Sequence, residues 1–435
     1  MRTAFNRRNF LQTAAVGSAA LAAGVGAAPQ QSQQQSTSPG GAMAKIVVGV
    51  MGMGGRGVEL ARQFQQQPNT EVAYVCCADR RRMEGAADAI EKLSGRRPKT
   101  VVDFRRILDD KSVDVLVCAA CDHWHAPATI MACAAGKHVY VEKPCCHNPR
   151  EGELQIEAAR KYRRVVQVGT QRRSWPGMIA AMEKLREGAI GRVIFSRSWY
   201  NNMRGSIGRG KPAPVPDWLD WELWQGPAPR RPYRDNIVHY NWHWFWHWGT
   251  GEIGNNGVHG IDLSRWGLGV DFPVHVSSGG GRWRWDDDCE TPDTQVVTFD
   301  FGDRMIVWEC RNWHPRGPEG DGFGAIFYGE QGTLAVSGGG YKIFDLKNKL
   351  VEEKSGPGGD AQHIANFLAA IREGAAANAS IDVHYPSTLL CLLGAIAHRT
   401  RRSLKCDPKT GHILDDPEAA ALWSRQYEPG WEPKV

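Results

Sequence analysis

The sequence predicts an α/β protein of two domains, the first built on a doubly wound parallel sheet. Three observations carry this expectation. The 435 residues exceed one ordinary core, because domains usually run about 100–200 residues. From Lys45 onward short apolar runs alternate with helical patterns, and each run is continuously hydrophobic, as strands covered on both faces are. The first run ends in Gly52-Met53-Gly54-Gly55-Arg56-Gly57, a G-x-G-x-x-G spacing at a strand-to-helix turn.

Residues 1–28 are expected to be an export leader. Arg7-Arg8 precedes Phe10-Leu11, and a weakly apolar run of small residues follows. The pattern resembles a twin-arginine signal, which carries folded proteins and implies a periplasmic or other extracytoplasmic destination. A Gln/Ser-rich disordered linker is expected over 29–43. Beyond it, 42% hydrophobic and 23% charged residues, with no apolar run near the ~18 residues of a membrane span, describe a soluble chain. The net charge of +6 is spread without a basic stripe, so nucleic acid is not an expected partner. The 11 cysteines are expected as thiols; "CAACDHWH" and "CCH" lack a paired knuckle, so no metal is expected.

The first domain, 44–170, is read from "KIVVGVMG" and a helix from about Arg56, then "VAYVCCAD", "DVLVCAAC", "HVYVEKP" and "RVVQVGT", with helices between them after Pro127 and Pro149. Gly52, Gly54, Gly55 and Gly57, with Met53 and Arg56, would let backbone N–H groups approach a pyrophosphate. Asp79, about 20 residues on, would hold the ribose hydroxyls and argues for NAD. Arg80 and the two arginines after it keep NADP open. His123, His125 and Glu142-Lys143-Pro144 fall at strand ends, where ligands bind in such sheets. Glu142 is expected as a charge partner of Lys143, whose pKa would fall in a closed apolar site.

The second domain, 171–435, opens with a helix near 176–188 and the strand-like "GRVIFSRSWY". An irregular stretch over 201–250 reads as a functional loop system. Strands follow at "TQVVTFDF", "RMIVWECRNW", "GAIFYGEQGTLAVSG" and "YKIFD", helices near 362–374 and 386–400, and a tail packing back over this domain. Trp242, Trp244, Trp246 and Trp248 stand at every second position, which reads as one buried face of a strand or extended loop. As a group they offer flat plates for a sugar, with hydrogen bonds from Tyr240, His243, His247 and Asn255; Trp242 and Trp246 are the expected plates. Asn255 and His259, four apart, would share a helical face that Asp262 adjoins.

The glycine motif, "DHWHAP", "VEKP", "VGTQRRS" and "GVHGIDLSRWGLG" together resemble the glucose-fructose oxidoreductase/inositol dehydrogenase (Gfo/Idh/MocA) family. The resemblance implies a nicotinamide-dependent oxidoreductase acting on a secondary alcohol of a sugar, glycoside or cyclitol. It implies a C-terminal α/β domain with a large open, mainly antiparallel sheet that often makes the oligomer interface, hence a homo-oligomer, dimer or tetramer. It makes Lys143 the catalytic lysine and His259 the histidine of a D-x-x-x-H pattern. Asn255 stands where the family has aspartate, a feature similar to an exported branch that also carries the Trp/His-rich run. An exported enzyme is expected to hold its NAD tightly. Alternatives are an NAD-dependent glycoside-cleaving enzyme working by transient oxidation and elimination, and a non-catalytic carbohydrate-binding protein.

Overall fold

The computed structural model describes residues 43–435; the expected leader and the linker up to residue 42 lie outside the described residues. The first sheet holds β1 (Ile46–Met51), β2 (Thr70–Cys76), β3 (Lys99–Val101), β4 (Val115–Cys118), β5 (His138–Val141) and β6 (Val166–Val168) in the order β3-β2-β1-β4-β5-β6. Every pairing is parallel. Helices α1 (Gly55–Gln65), α2 (Arg80–Ser94), α3 (Arg105–Asp109), α4 (Asp122–Ala134) and α5 (Pro149–Lys161) make the crossovers. The strand order reverses between β1 and β4, which opens a crevice at their carboxyl ends. β3 is three half-exposed or exposed residues and carries no apolar run to betray it. α4 begins at Asp122 and takes Pro127 inside, where a helix start after the proline was expected. The ~3 kcal/mol that an internal proline costs is offset by burial of every residue from Asp122 to Ile130.

Among the described residues the second sheet has ten strands. After α6 (Pro176–Arg186) comes β7 (Val193–Asn201), then an irregular stretch interrupted by α7 (Trp221–Gln225), and a π-helical turn, Ile253–Gly257, running into α8 (Val258–Leu268). Then follow β8 (His275–Gly281), β9 (Thr294–Asp300), β10 (Met305–Arg311), β11 (Phe323–Gly329), β12 (Gly332–Ser337), β13 (Gly340–Asp345) and β14 (Leu350–Lys354). Helices α9 (Ala361–Glu373) and α10 (Ile381–Thr400) precede β15 (Leu404–Cys406) and β16 (Ile413–Leu414). The order is β14-β13-β12-β11-β7-β10-β9-β8-β15-β16, antiparallel except between β7 and β10. β8 ("HVSSGGG") and β14 to β16 were not legible, being polar, glycine-rich or very short. α8 lies close on this sheet because it is notched: a Cβ at Gly267 would come within 2.2 Å of the Phe327 ring, and one at Gly257 within 2.7 Å of Trp308.

The division at residue 170 is crossed by packing. Ile364, Phe367 and Leu368 of α9 are buried in the first sheet's core with Leu60, Phe64 and Tyr140. The tail packs on the second domain as expected, with Asp416 and Glu418 paired to Arg402 and the Glu428 N–H donating to the Pro227 carbonyl, and it extends over the first domain as well. Trp431 meets Trp124 edge-on at 5.1 Å, and Tyr427 donates to Glu151 at 2.9 Å. All eleven cysteines are unbridged. Among the described residues no helix is long and apolar enough to cross a membrane, and no group of three or more His, Cys, Asp or Glu side chains could hold a metal ion.

Candidate active site

The glycine turn is sterically required at two of its positions. Gly52 has φ +92°, and a Cβ there would lie 2.5 Å from the Ala119 carbonyl oxygen. A Cβ on Gly57 would lie 1.7 Å from the Gly52 oxygen. Gly54 caps α1 with no side chain, so the first N–H groups of the helix stay open toward an anion. Above this turn lies a cavity of about 490 Å³, walled by both domains. Its floor runs from Gly52 to Arg56, one end is marked by Asp79, and the other by Lys143 and Asn255. A bare helix N-terminus, a closely approachable backbone and a carboxylate at the far end fit a dinucleotide.

At the Asp79 end the second domain closes down. Arg80 N–H donates to the Trp218 carbonyl at 3.0 Å, and Asp220 N–H to that of Ala78 at 2.9 Å. Asp79 caps α2, accepts from the Arg81 N–H at 2.9 Å and meets His239 Nε2 at 2.8 Å. Burial works against its charge, but the hydrogen bonds and charge of Arg81, with His239, outweigh it and hold the carboxyl below the usual range. The Arg81 guanidinium sits 3.6 Å over the Trp218 ring. Arg80, expected at the cofactor, instead turns outward to the Asp217 carbonyl, because its position on α2 faces solvent. Arg82 lines the cavity in its stead.

At the other end, Lys143 Nζ donates to the Asn255 carbonyl at 2.6 Å and to its Oδ1 at 3.2 Å. The π-helical turn leaves that carbonyl free for it, a use to which such turns are often put. Burial, with Arg56 acting the same way, pushes the Lys143 pKa down against the opposing charges of Glu142, Asp122 and Glu252. Glu142 is not the lysine's ion-pair partner, contrary to expectation. Its carboxylate meets Arg56 Nε at 2.7 Å, and Arg56 holds Asp360 with two bonds of 2.7 and 2.8 Å. Glu142 meets only the Lys143 backbone N–H, at 3.2 Å.

His259 lies buried beside this end, outside the cavity lining. Among the described residues neither ring nitrogen has a hydrogen-bond partner, and Nδ1 is fully covered. Burial, then the charges of Arg172 and Lys143, push its pKa well down, so the ring is neutral. Neither Asp262 nor Glu252 takes the place of the missing family aspartate. Asp262 is spent on Arg173 (2.8 and 2.8 Å), and Glu252 on Arg204 at 2.6 Å. Asp122 lines the cavity and accepts from the Thr250 hydroxyl at 2.7 Å; burial raises its pKa.

The histidines of "DHWHAP" divide. His125 lines the cavity, its nitrogens facing the carbonyls of Pro144 (2.5 Å) and Ala120 (3.0 Å). His123, expected near the cofactor, is packed away between the carbonyls of Trp224 and Trp248, and burial pushes its pKa down to about 3. The tryptophan run is not a strand. Asn241–Trp244 is a 3-10 turn, which sends alternate indoles to different places. Trp242 stacks on His243 at 3.6 Å, and both line the cavity with Tyr240. Trp248 is buried against Trp221 and Trp224, the core of the irregular stretch, and Trp244 is likewise buried. Trp246 and His247 face a different cavity, so they do not join the expected sugar surface. Residues missed from sequence are Asp122, Trp218 and His239; only the "DH" beside a strand end signalled one of them, whereas Arg82 is one of the two arginines after Arg80 to which the sequence pointed.

Comparison with known proteins agrees with this geometry. A model of an oxidoreductase family's NAD-binding Rossmann fold matches residues 46–170, and one of an oxidoreductase family's C-terminal alpha/beta domain matches 195–432. The chain is 30% identical over 265 residues to inositol 2-dehydrogenase 2 of Saccharopolyspora erythraea, covering 60% of this chain and 64% of that one. It is 28% identical over 181 residues to levoglucosan dehydrogenase of Pseudarthrobacter phenanthrenivorans, covering 40% and 38%. It therefore spans less than two thirds of the length of these relatives. Among solved structures, aldose-aldose oxidoreductase from Caulobacter crescentus, complexed with glycerol, superposes with TM-score 0.63 at 18% identity, covering 83% of this chain and 99% of that one. The WlbA dehydrogenase from Bordetella pertussis, in complex with NADH and UDP-GlcNAcA, gives 0.62 at 19% identity over the same shares.

Proposed function

Because the chain belongs to the Gfo/Idh/MocA oxidoreductase family and carries its NAD-binding Rossmann fold, we propose that it oxidises a secondary alcohol of a sugar, glycoside or cyclitol, or reduces the matching ketone. The observation that carries this reading is the half-buried Lys143 amine, held by Asn255 on the wall of the cofactor cavity. When bound over Gly52 to Gly57, NAD supplies an acceptor for hydride from the carbinol carbon. Lys143, its charge disfavoured by burial, takes the hydroxyl proton. Asn255 orients the hydroxyl, since an amide cannot accept its proton as a base. The neutral His259, buried outside the cavity lining, backs this end of the site without facing the substrate. Trp242 and Tyr240 give the ring a flat wall. Asp79 favours NAD over NADP, because a 2′-phosphate would meet its charge.

The protein is exported by the twin-arginine route and keeps its cofactor, a reading supported by Arg7-Arg8 and by the clasp of Trp218 and His239 on the Asp79 end. It assembles as a homo-oligomer through the open ten-stranded sheet. A second reading, an NAD-dependent glycoside-cleaving enzyme, is favoured by 24% identity over 211 residues to a glycosyl hydrolase family 109 protein of Shewanella baltica. The test is a mass balance across a panel of sugars and glycosides. A keto product with stoichiometric NADH, seen at 340 nm, supports the dehydrogenase; a released aglycone with no net NADH supports the second reading. Saturable sugar binding with neither product leaves only a carbohydrate-binding protein.

A further inference from the structure

The stretch 242–250 that walls the cofactor cavity on one side borders a second cavity, of about 420 Å³, on the other. The remaining walls are the start of α5, the later turns of α10, residues 229–231 and the tail. Arg230, Arg231, Arg399 and Arg425 all face it, with no carboxylate among the lining residues. Arg230 is neutralised by Glu222. Among the described residues the other three have no ion pair. Arg425 meets His147 Nδ1 at 2.9 Å, Arg399 lies 5.3 Å over the Trp246 ring, and Arg231 lies 5.9 Å from that of Trp248. Glu151 acts on Arg425 and Glu290 on Arg399 through their charge, neither at ion-pair distance. Glu151 accepts from the His147 N–H and the Tyr427 hydroxyl, and Glu290 from the Trp246 N–H.

A second feature points to a guest. His147 Nε2, on the same wall, is buried with no hydrogen-bond partner. Arg231 and Arg425 repel one another, with Arg399 lining the same cavity, and an oxyanion relieves such repulsion while accepting guanidinium N–H groups in pairs. Trp246 adds an aromatic wall, and Ser424 and Gln426 add a hydroxyl and an amide that the described residues leave unengaged. The volume falls in the range of ligand pockets, roughly 300–1,000 Å³. We infer that this cavity binds a sugar bearing a carboxylate or phosphate group, at a site separate from the cofactor cavity.

The inference does not depend on the reaction proposed above, and binding to the purified full-length protein tests it. Isothermal titration calorimetry would compare D-glucuronate, D-glucose 6-phosphate, D-glucose and inorganic phosphate. One or both sugar anions are expected to bind saturably, glucose not at all, and phosphate at least ten-fold more weakly; the tighter of the two anions identifies the group. The double variant Arg231→Ala/Arg399→Ala alters two exposed side chains and is expected to weaken binding at least ten-fold with an unchanged melting temperature. Lys143→Ala is expected to leave it intact. The inference is overturned if no sugar anion binds, if the double variant binds as the parent does, if phosphate alone binds as tightly, or if Lys143→Ala abolishes binding, which would place the ligand in the cofactor cavity.

Discussion

Lys143 works against its own charge, and that sets its pH behaviour. A base must be unprotonated, so the oxidation rate rises as pH passes upward through the Lys143 pKa, and burial puts that midpoint below the ordinary 10.5. Asn255→Asp would place a carboxylate where Oδ1 now stands, 3.2 Å from Nζ. That favours the ammonium, so the midpoint of the pH–rate profile should move up; an unmoved midpoint would mean another group titrates. Lys143→Ala should lower kcat by about 10²–10⁴-fold, the usual worth of a positioned base, while the protein still purifies with its nucleotide. The lysine was legible because it follows a buried strand in a glutamate-lysine-proline run. The true partner of Glu142 was not, because Arg56 lies 86 residues away in sequence.

At the level of elements, the turn from β1 to α1 and the clasp on α2 make separate predictions. Gly57→Ala drives a methyl into the Gly52 carbonyl, and overpacking of that kind costs about 1–3 kcal/mol. The expected result is protein that purifies without nucleotide, read from the absorbance of the denatured supernatant. Trp218→Ala removes the plate under Arg81 and loosens the clasp over Asp79. It should speed loss of cofactor on dialysis, while kcat at saturating NAD stays near that of the parent; equal retention would show that the clasp does not hold the nucleotide. The glycine spacing announced the turn, since its constraint is steric and local. The clasp had no local signature, because a tryptophan and a histidine in an irregular stretch reveal nothing of what they cover. The tryptophan run misled for a related reason: its period of two matches a strand, but the chain there turns, and the indoles part company.

Across the whole molecule, α9 ties the late part of the chain to the early core. Phe367→Ala removes a ring that meets Phe64 and Tyr140 edge-on at 6.2 and 5.8 Å. A cost of about 3–5 kcal/mol is expected in urea unfolding, with hydrogen exchange speeding up in α1 and β1 although the substitution lies some 300 residues later. Exchange confined to α9 would show that the helix is only an accessory to that core. The alternation of strands and helices, the glycine turn and the lysine after a buried strand were determined by the sequence itself, since each is set by sterics and burial among near neighbours. The second sheet's order, the docking of α9 and the tail, the split of the tryptophans and the pairing of Glu142, Glu252 and Asp262 were decided only by the tertiary structure. Such choices rest on packing between residues far apart in the chain, as Arg56 and Asp360 are at 304 positions, and no local pattern records which of many available partners a side chain will meet.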